Sequence, residues 1–218
     1  MLKIFILIYT LLFSLLIISA YNQKFKRYYV ILKALCSFGF VMVAVVGNFY
    51  TDSINNLIWV LPSLVFYMIG DIFICFKATK ALLLTGAGSF LIGHLIMIIS
   101  IYSRTPIKLV DFVIPAACVI ILWVLSSLDS IDVGSFKKPA LIYSFFLSWV
   151  SSKTFFMMIN NDFTRRSSLF SVGYLLLFVS DFTIFFMLFY SRKFKYFKLF
   201  ELLTYYYGMF LIAVSTFI

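Results

Sequence analysis

Residues Ser168–Tyr190 read SLFSVGYLLLFVSDFTIFFMLFY, twenty-three residues whose only charged side chain, Asp181, stands well inside an otherwise apolar run. About 20 mainly apolar residues, each rising about 1.5 Å along a helix, suffice to cross the hydrocarbon core of a bilayer. A strand of an outer-membrane barrel would instead alternate polar and apolar residues over about ten positions. No such alternation is present here, so the segment predicts a membrane-crossing helix.

Working outward in both directions, the chain yields seven more runs of this kind: Leu2–Ala20, Tyr29–Phe49, Leu57–Phe76, Leu82–Tyr102, Asp111–Leu128, Pro139–Ile159 and Leu199–Ile218. Composition agrees. Of 218 residues, 64% are hydrophobic and 12% charged, against about 45–50% and about 25% in soluble domains. No single soluble core hides that much apolar surface. The expected fold is all-α, a polytopic bundle of eight transmembrane helices forming one domain over residues 1–218, with short connections that make sequential helices antiparallel. Leu2–Ala20 has the outline of a signal peptide. Its near-spanning length and the Lys24, Lys26 and Arg27 cluster behind it favour a retained helix.

Eighteen basic residues against eight acidic ones give a net charge of +10. In a soluble chain that excess would point to nucleic acid; in a membrane chain it reports topology, and no nucleic-acid partner is expected. Loops after the first, third, fifth and seventh helices hold Lys24, Lys26, Arg27, Lys77, Lys80, Lys137, Lys138, Arg192, Lys193, Lys195 and Lys198. The opposite side holds Lys3, Arg104, Lys108, Arg165 and Arg166. The asymmetry predicts that both termini lie outside, in a multi-pass protein of a bacterial cytoplasmic (inner) membrane.

Several chemistries are disfavoured. Cys36, Cys75 and Cys118 lie singly in apolar runs, and one histidine excludes zinc held by several imidazoles. There is no GxSxG elbow, HExxH or Walker loop. No cofactor and no metal are expected. A charge deep in a transmembrane segment costs several kcal/mol and marks a functional candidate. Lys153 lies close enough to a helix end to snorkel to water, and Glu201 sits in a first turn where a carboxylate suits the helix dipole. Four groups remain. By helical rise from the nearer end, Lys33 lies about 6 Å deep, Asp71 about 8 Å, Asp181 about 13 Å and His94 about 18 Å. All four fall in the same half of the expected bundle, which predicts a polar pocket open toward the cytoplasmic leaflet. Two carboxylates, one pushed toward its acid form and one kept ionised near Lys33, suit acid/base hydrolysis through an oxocarbenium-like state.

The same residues give the chain a resemblance to the YhhN family of small eight-helix membrane proteins, which includes the lysoplasmalogenases. The match runs through Lys33-Ala34 (usually Lys-Pro in the family), Gly70-Asp71, Gly88 with Phe90 and His94, Tyr143, then Gly173, Phe178, Ser180 and Asp181, and the pair Tyr205-Tyr206. It departs at Ala34, Met97 and Met209, where the family often has Pro, Tyr, and Gln or His. What the resemblance implies is a hydrolase of lipid metabolism that cleaves the vinyl ether of lysoplasmalogens to a fatty aldehyde and a glycerophospho-base. On that implication Asp71 and Asp181 form the acid/base pair in undecided order, and His94 orients water or a carboxylate. Lys33, Tyr143, Tyr205 and Ser180 contact the substrate, a lysophospholipid drawn from the surrounding membrane lipids. The competing expectation is a lipid-binding or transport protein of the same fold, without chemistry.

Overall fold

The computed structural model describes residues 2–51, 54–76, 79–160, 163–192 and 194–217. Among these it is all-helical, with eight α-helices: α1 Leu2–Tyr21, α2 Tyr29–Thr51, α3 Ile54–Cys75, α4 Lys80–Tyr102, α5 Val113–Leu125, α6 Lys137–Asn160, α7 Arg165–Phe189 and α8 Phe197–Val214. Short 3₁₀ turns occupy Lys26–Tyr28, Leu109–Phe112, Gly134–Phe136 and Ser215–Phe217. Six of the helices, α1, α2, α4, α6, α7 and α8, are long and apolar enough to cross a membrane; Val60–Cys75 and Leu109–Leu125 are shorter apolar helical stretches. The multi-pass membrane character therefore stands on these six.

The chain forms two compact units. One comprises Met1–Gly93 with Ala213–Ile218, the other His94–Ile212. In the first, α2 packs against both α1 and α3. Tyr9, Phe13 and Leu16 recur at helical spacing and are buried, whereas Ile4, Leu7, Ile8, Leu11, Leu15 and Ile18 are exposed. A helix apolar on every side, with only one stripe covered by protein, leaves the remainder for lipid. The crossing of α3 and α4 is set by Gly70. A Cβ there would stand 2.6 Å from the Phe90 ring and 3.1 Å from the Gly86 carbonyl oxygen.

In the second unit, α6 packs against α5 and α7. Helices α7 and α8 meet at Gly173, where a Cβ would lie 2.8 Å from the Gly208 carbonyl oxygen and 2.7 Å from Ile212 Cγ1. Close backbone approach through small residues is how helices associate where lipid offers no hydrophobic drive. The fifth helix is shorter than the Asp111–Leu128 run. The 3₁₀ turn Leu109–Phe112 precedes it, Pro115 falls in its first turn where a missing N–H does no harm, and it stops at Leu125. There the Ser126 and Ser127 hydroxyls both donate to the Trp123 carbonyl, at 2.7 and 3.0 Å.

Lys153 does not snorkel. It is 6% exposed, and its Nζ donates to Asp111 Oδ2 at 2.8 Å and to the Pro106 carbonyl at 3.1 Å, 4.6 Å from the centre of the Tyr102 ring. Asp111 Oδ2 also accepts from the Tyr102 hydroxyl (2.7 Å) and the Lys108 N–H (3.0 Å), while Trp149 Nε1 donates to Tyr102 (2.9 Å). The Pro106 carbonyl and the Asp111 carboxylate, both in the stretch between α4 and α5, supply the partners, so the ammonium has no need to reach water.

The two contrasting glycines generate a test. Gly173→Ala forces a methyl between two backbones and should destabilise by about 1–3 kcal/mol, the range for overpacking. Gly88→Ala meets nothing within 4 Å and should be neutral or slightly stabilising. Thermal unfolding of both variants in the same detergent reads the difference.

Candidate functional site

In the first unit the site residues are Lys33 on α2 and Asp71 on α3. Lys33 Nζ lies 3.1 Å from Asp71 Oδ1, and both side chains are closed off, at 6% and 2% exposure. The second carboxylate oxygen accepts from the Ser37 hydroxyl at 2.6 Å. Ser37 stands four residues after Lys33, one turn along the same face of α2, and its Oγ is also 3.1 Å from the Lys33 carbonyl. One helix face thus presents both an ammonium and a hydroxyl to a carboxylate on its neighbour. Gly70, immediately before Asp71, brings α4 against the same stretch of α3. Ser37 was not anticipated. Its spacing from Lys33 was the available signal, but serines are common in membrane helices and cheap to bury by bonding back to the preceding turn.

In the second unit α4, α6 and α7 supply His94, Tyr143 and Asp181. The Tyr143 hydroxyl donates a hydrogen bond to Asp181 Oδ2. The same hydroxyl oxygen is 3.3 Å from His94 Nε2, and the two rings meet edge-on with centroids 5.5 Å apart. His94 is fully buried, whereas Tyr143 and Asp181 are only half-buried. The result is a chain of hydrogen bonds running from a closed imidazole to an approachable carboxylate. Tyr143 is amphoteric within it: it gives its proton to Asp181 and offers its lone pair to a His94 N–H.

The remaining expected residues have other surroundings. Ser180 is fully buried, and its hydroxyl donates to the Glu201 carbonyl at 3.2 Å, joining α7 to α8. Tyr205 is 2% exposed and packs perpendicular to Tyr206 at 5.0 Å. The Glu201 carboxylate is buried and accepts from Lys198 Nζ at 2.6 Å, an i,i+3 pair within α8. Lys33 is thus brought to Asp71, and His94 to Tyr143 and Asp181. Among the described residues, no group of three His, Cys, Asp or Glu side chains is placed to share a metal ion.

Compared with known proteins, the chain matches the YhhN family model over residues 28–216, nearly its whole length, and belongs to that family. No curated protein and no solved structure matches it.

The buried Lys33–Asp71 pair predicts a stability signature. Lys33→Met leaves the carboxylate in apolar surroundings with its cation gone, and breaking a buried pair in this way costs about 3–5 kcal/mol. Lys33→Met combined with Asp71→Asn should recover much of that loss, because no unpaired charge then remains. Thermal unfolding of the two single variants and the double variant measures the coupling.

Proposed function

We propose that this YhhN-family protein is a membrane-embedded lysoplasmalogenase-like hydrolase, which splits the vinyl ether of a lysoplasmalogen into a fatty aldehyde and a glycerophospho-base. The observation that supports the reading is the Asp181–Tyr143–His94 chain of hydrogen bonds. Hydrolysis of a vinyl ether has one hard step, delivery of a proton to carbon. That step needs an acid near the substrate and a route that recharges it. A proton arriving at His94 Nδ1 allows the one on Nε2 to pass to Tyr143, and the Tyr143 proton to pass to Asp181, with only hydrogens displaced. Asp181 then serves as the carboxylic acid.

The chemistry balances with one water. Asp181 gives its proton to the vinyl carbon next to the one bearing oxygen, and the oxygen-bearing carbon becomes an oxocarbenium ion. Water adds to that carbon and loses a proton to the Asp181 carboxylate, which the first step has left ionised and which is thereby restored to its acid form. The hemiacetal collapses to aldehyde and alcohol. Lys33 is taken to hold Asp71 rather than phosphate, because its ammonium is buried against that carboxylate. Tyr143 carries the proton rather than binding the head group, because its hydroxyl hydrogen is directed at Asp181.

Purified protein in detergent, offered lysoplasmalogen with detection of released aldehyde, tests this directly. Asp181→Asn should lower kcat by about 10²–10⁴-fold, the usual worth of general acid help, with little change in KM. Tyr143→Phe should lower kcat by less, since water can partly replace the hydroxyl. Turnover of the normal enzyme should slow in heavy water, and ester-linked lysolipids should be poor substrates. Full activity of folded Asp181→Asn would show that the carboxylate is structural.

The reading also takes all eight helices across the bilayer with both termini outside, on the basic asymmetry of the loops. A reporter fused after Ile218 should then behave as exported, and a cytoplasmic signal would reverse the orientation.

A further inference from the structure

Away from the polar chain, the second unit has a groove between α5 and α6. It holds about 280 Å³ and is lined by Val119, Leu141, Ile142, Phe145 and Phe146, all apolar. Helical register says what lies at its end. Trp123 follows Val119 by four residues on α5, and Lys137 precedes Leu141 by four on α6, so each continues the groove-lining face by one turn. These two side chains meet: Lys137 Nζ is 5.6 Å from the centre of the Trp123 ring, with the Ser127 hydroxyl 3.3 Å from the same ammonium. Trp123 is 55% exposed. The groove therefore runs from an apolar trough to a cation beside an indole, at the end of the unit where α5 stops and α6 begins.

That end is built to hold its shape. Between α5 and α6 the chain makes an isolated antiparallel bridge, Ile131 with Tyr190, reinforced by Asp132 N–H to the Phe189 carbonyl (2.9 Å) and Ser191 N–H to the Ser130 carbonyl (3.0 Å). Ile131 and Val133 are buried with Leu122 and Phe185. Gly134, at φ +49°, turns the chain into α6. Beyond the bridge, Arg192 and Lys195 are exposed, as are the rings of Phe194 and Tyr196. Exposed Asp129 and Asp132 offset part of this charge. Lys137, Lys138, Arg192 and Lys195 leave the end basic.

We propose that this α5–α6 face binds one anionic membrane phospholipid, its acyl chain in the groove and its phosphate at Lys137 beside Trp123. The argument is charge complementarity continuous with apolar fit. An indole belongs at the headgroup level of a bilayer, and a basic side chain there attracts anionic lipid by about a factor of five. A soluble anion would have no use for the trough, and a zwitterionic lipid no preference for the lysine. The proposal is independent of the hydrolase reading.

Trp123 is itself the reporter. The full chain and its Trp123→Phe variant are reconstituted in vesicles of phosphatidylcholine and phosphatidylglycerol, with bromine on the chains of one lipid at a time. The difference in quenching between the two proteins isolates Trp123. Brominated phosphatidylglycerol should quench it as though bound about fivefold more tightly than brominated phosphatidylcholine. Lys137→Gln should bring the two lipids to parity. Ile142→Trp, in a Trp123→Phe background to supply a second reporter in the trough, should keep the preference while Lys137 is present. Equal quenching by the two lipids in the unaltered chain would overturn the proposal. So would a preference that survives Lys137→Gln, or one that added inorganic phosphate abolishes.

Discussion

Ionisable groups in a chain this apolar must find their partners inside the protein, because lipid supplies none. That constraint shapes the interior of both units. Lys33 and Asp71 face each other across α2 and α3, and the Ser37 hydroxyl donates to the second carboxylate oxygen. Lys153 and Asp111 do the same between α6 and the turn before α5. Asp181 takes the hydroxyl proton of Tyr143. Each arrangement fixes two helices relative to one another more sharply than apolar contact would, since lipid tails compete equally well for apolar surface. The same constraint explains the glycines at the crossings. Short polar groups bond only when backbones approach closely, and Gly70, one residue before Asp71, removes the Cβ that would hold α4 off.

Much of this was legible in the sequence, for a definite reason. A charge interrupting a long apolar run is costly and therefore conspicuous, which is why Lys33, Asp71, His94 and Asp181 stood out. Helices were legible because their length is imposed by the bilayer. What escaped reading was of two kinds. Hydroxyl groups are inexpensive in a helix, so neither Ser37 nor the linking position of Tyr143 announced itself. Irregular backbone was the other gap. The run beginning at Asp111 looked like one helix, but a 3₁₀ turn and a short α5 place Asp111 where it meets Lys153. Distance from a helix end suggested that Lys153 would reach water. That reasoning left out the Asp111 carboxylate and the Pro106 carbonyl of the neighbouring connection, which meet the ammonium first.

Two acids in the second unit, Asp111 and Asp181, differ in what surrounds them. Asp111 Oδ2 is met by an ammonium, a phenol and a backbone N–H, and its side chain is 2% exposed. An ammonium and a backbone N–H only donate, and the phenol is itself met by the Trp149 indole N–H, another pure donor, so such a shell holds the charge in place. Such a site is a fastening. Asp181 is half-buried, and the phenol that meets it also faces an imidazole. Phenol and imidazole both donate and accept, which is the property the proposed proton relay draws on. The two acids thus differ both in their partners and in their exposure. The difference in partners also makes Tyr143 the decisive residue of the set. Replacing the phenol with Phe leaves the packing of α6 largely intact while removing the hydroxyl that meets both His94 and Asp181.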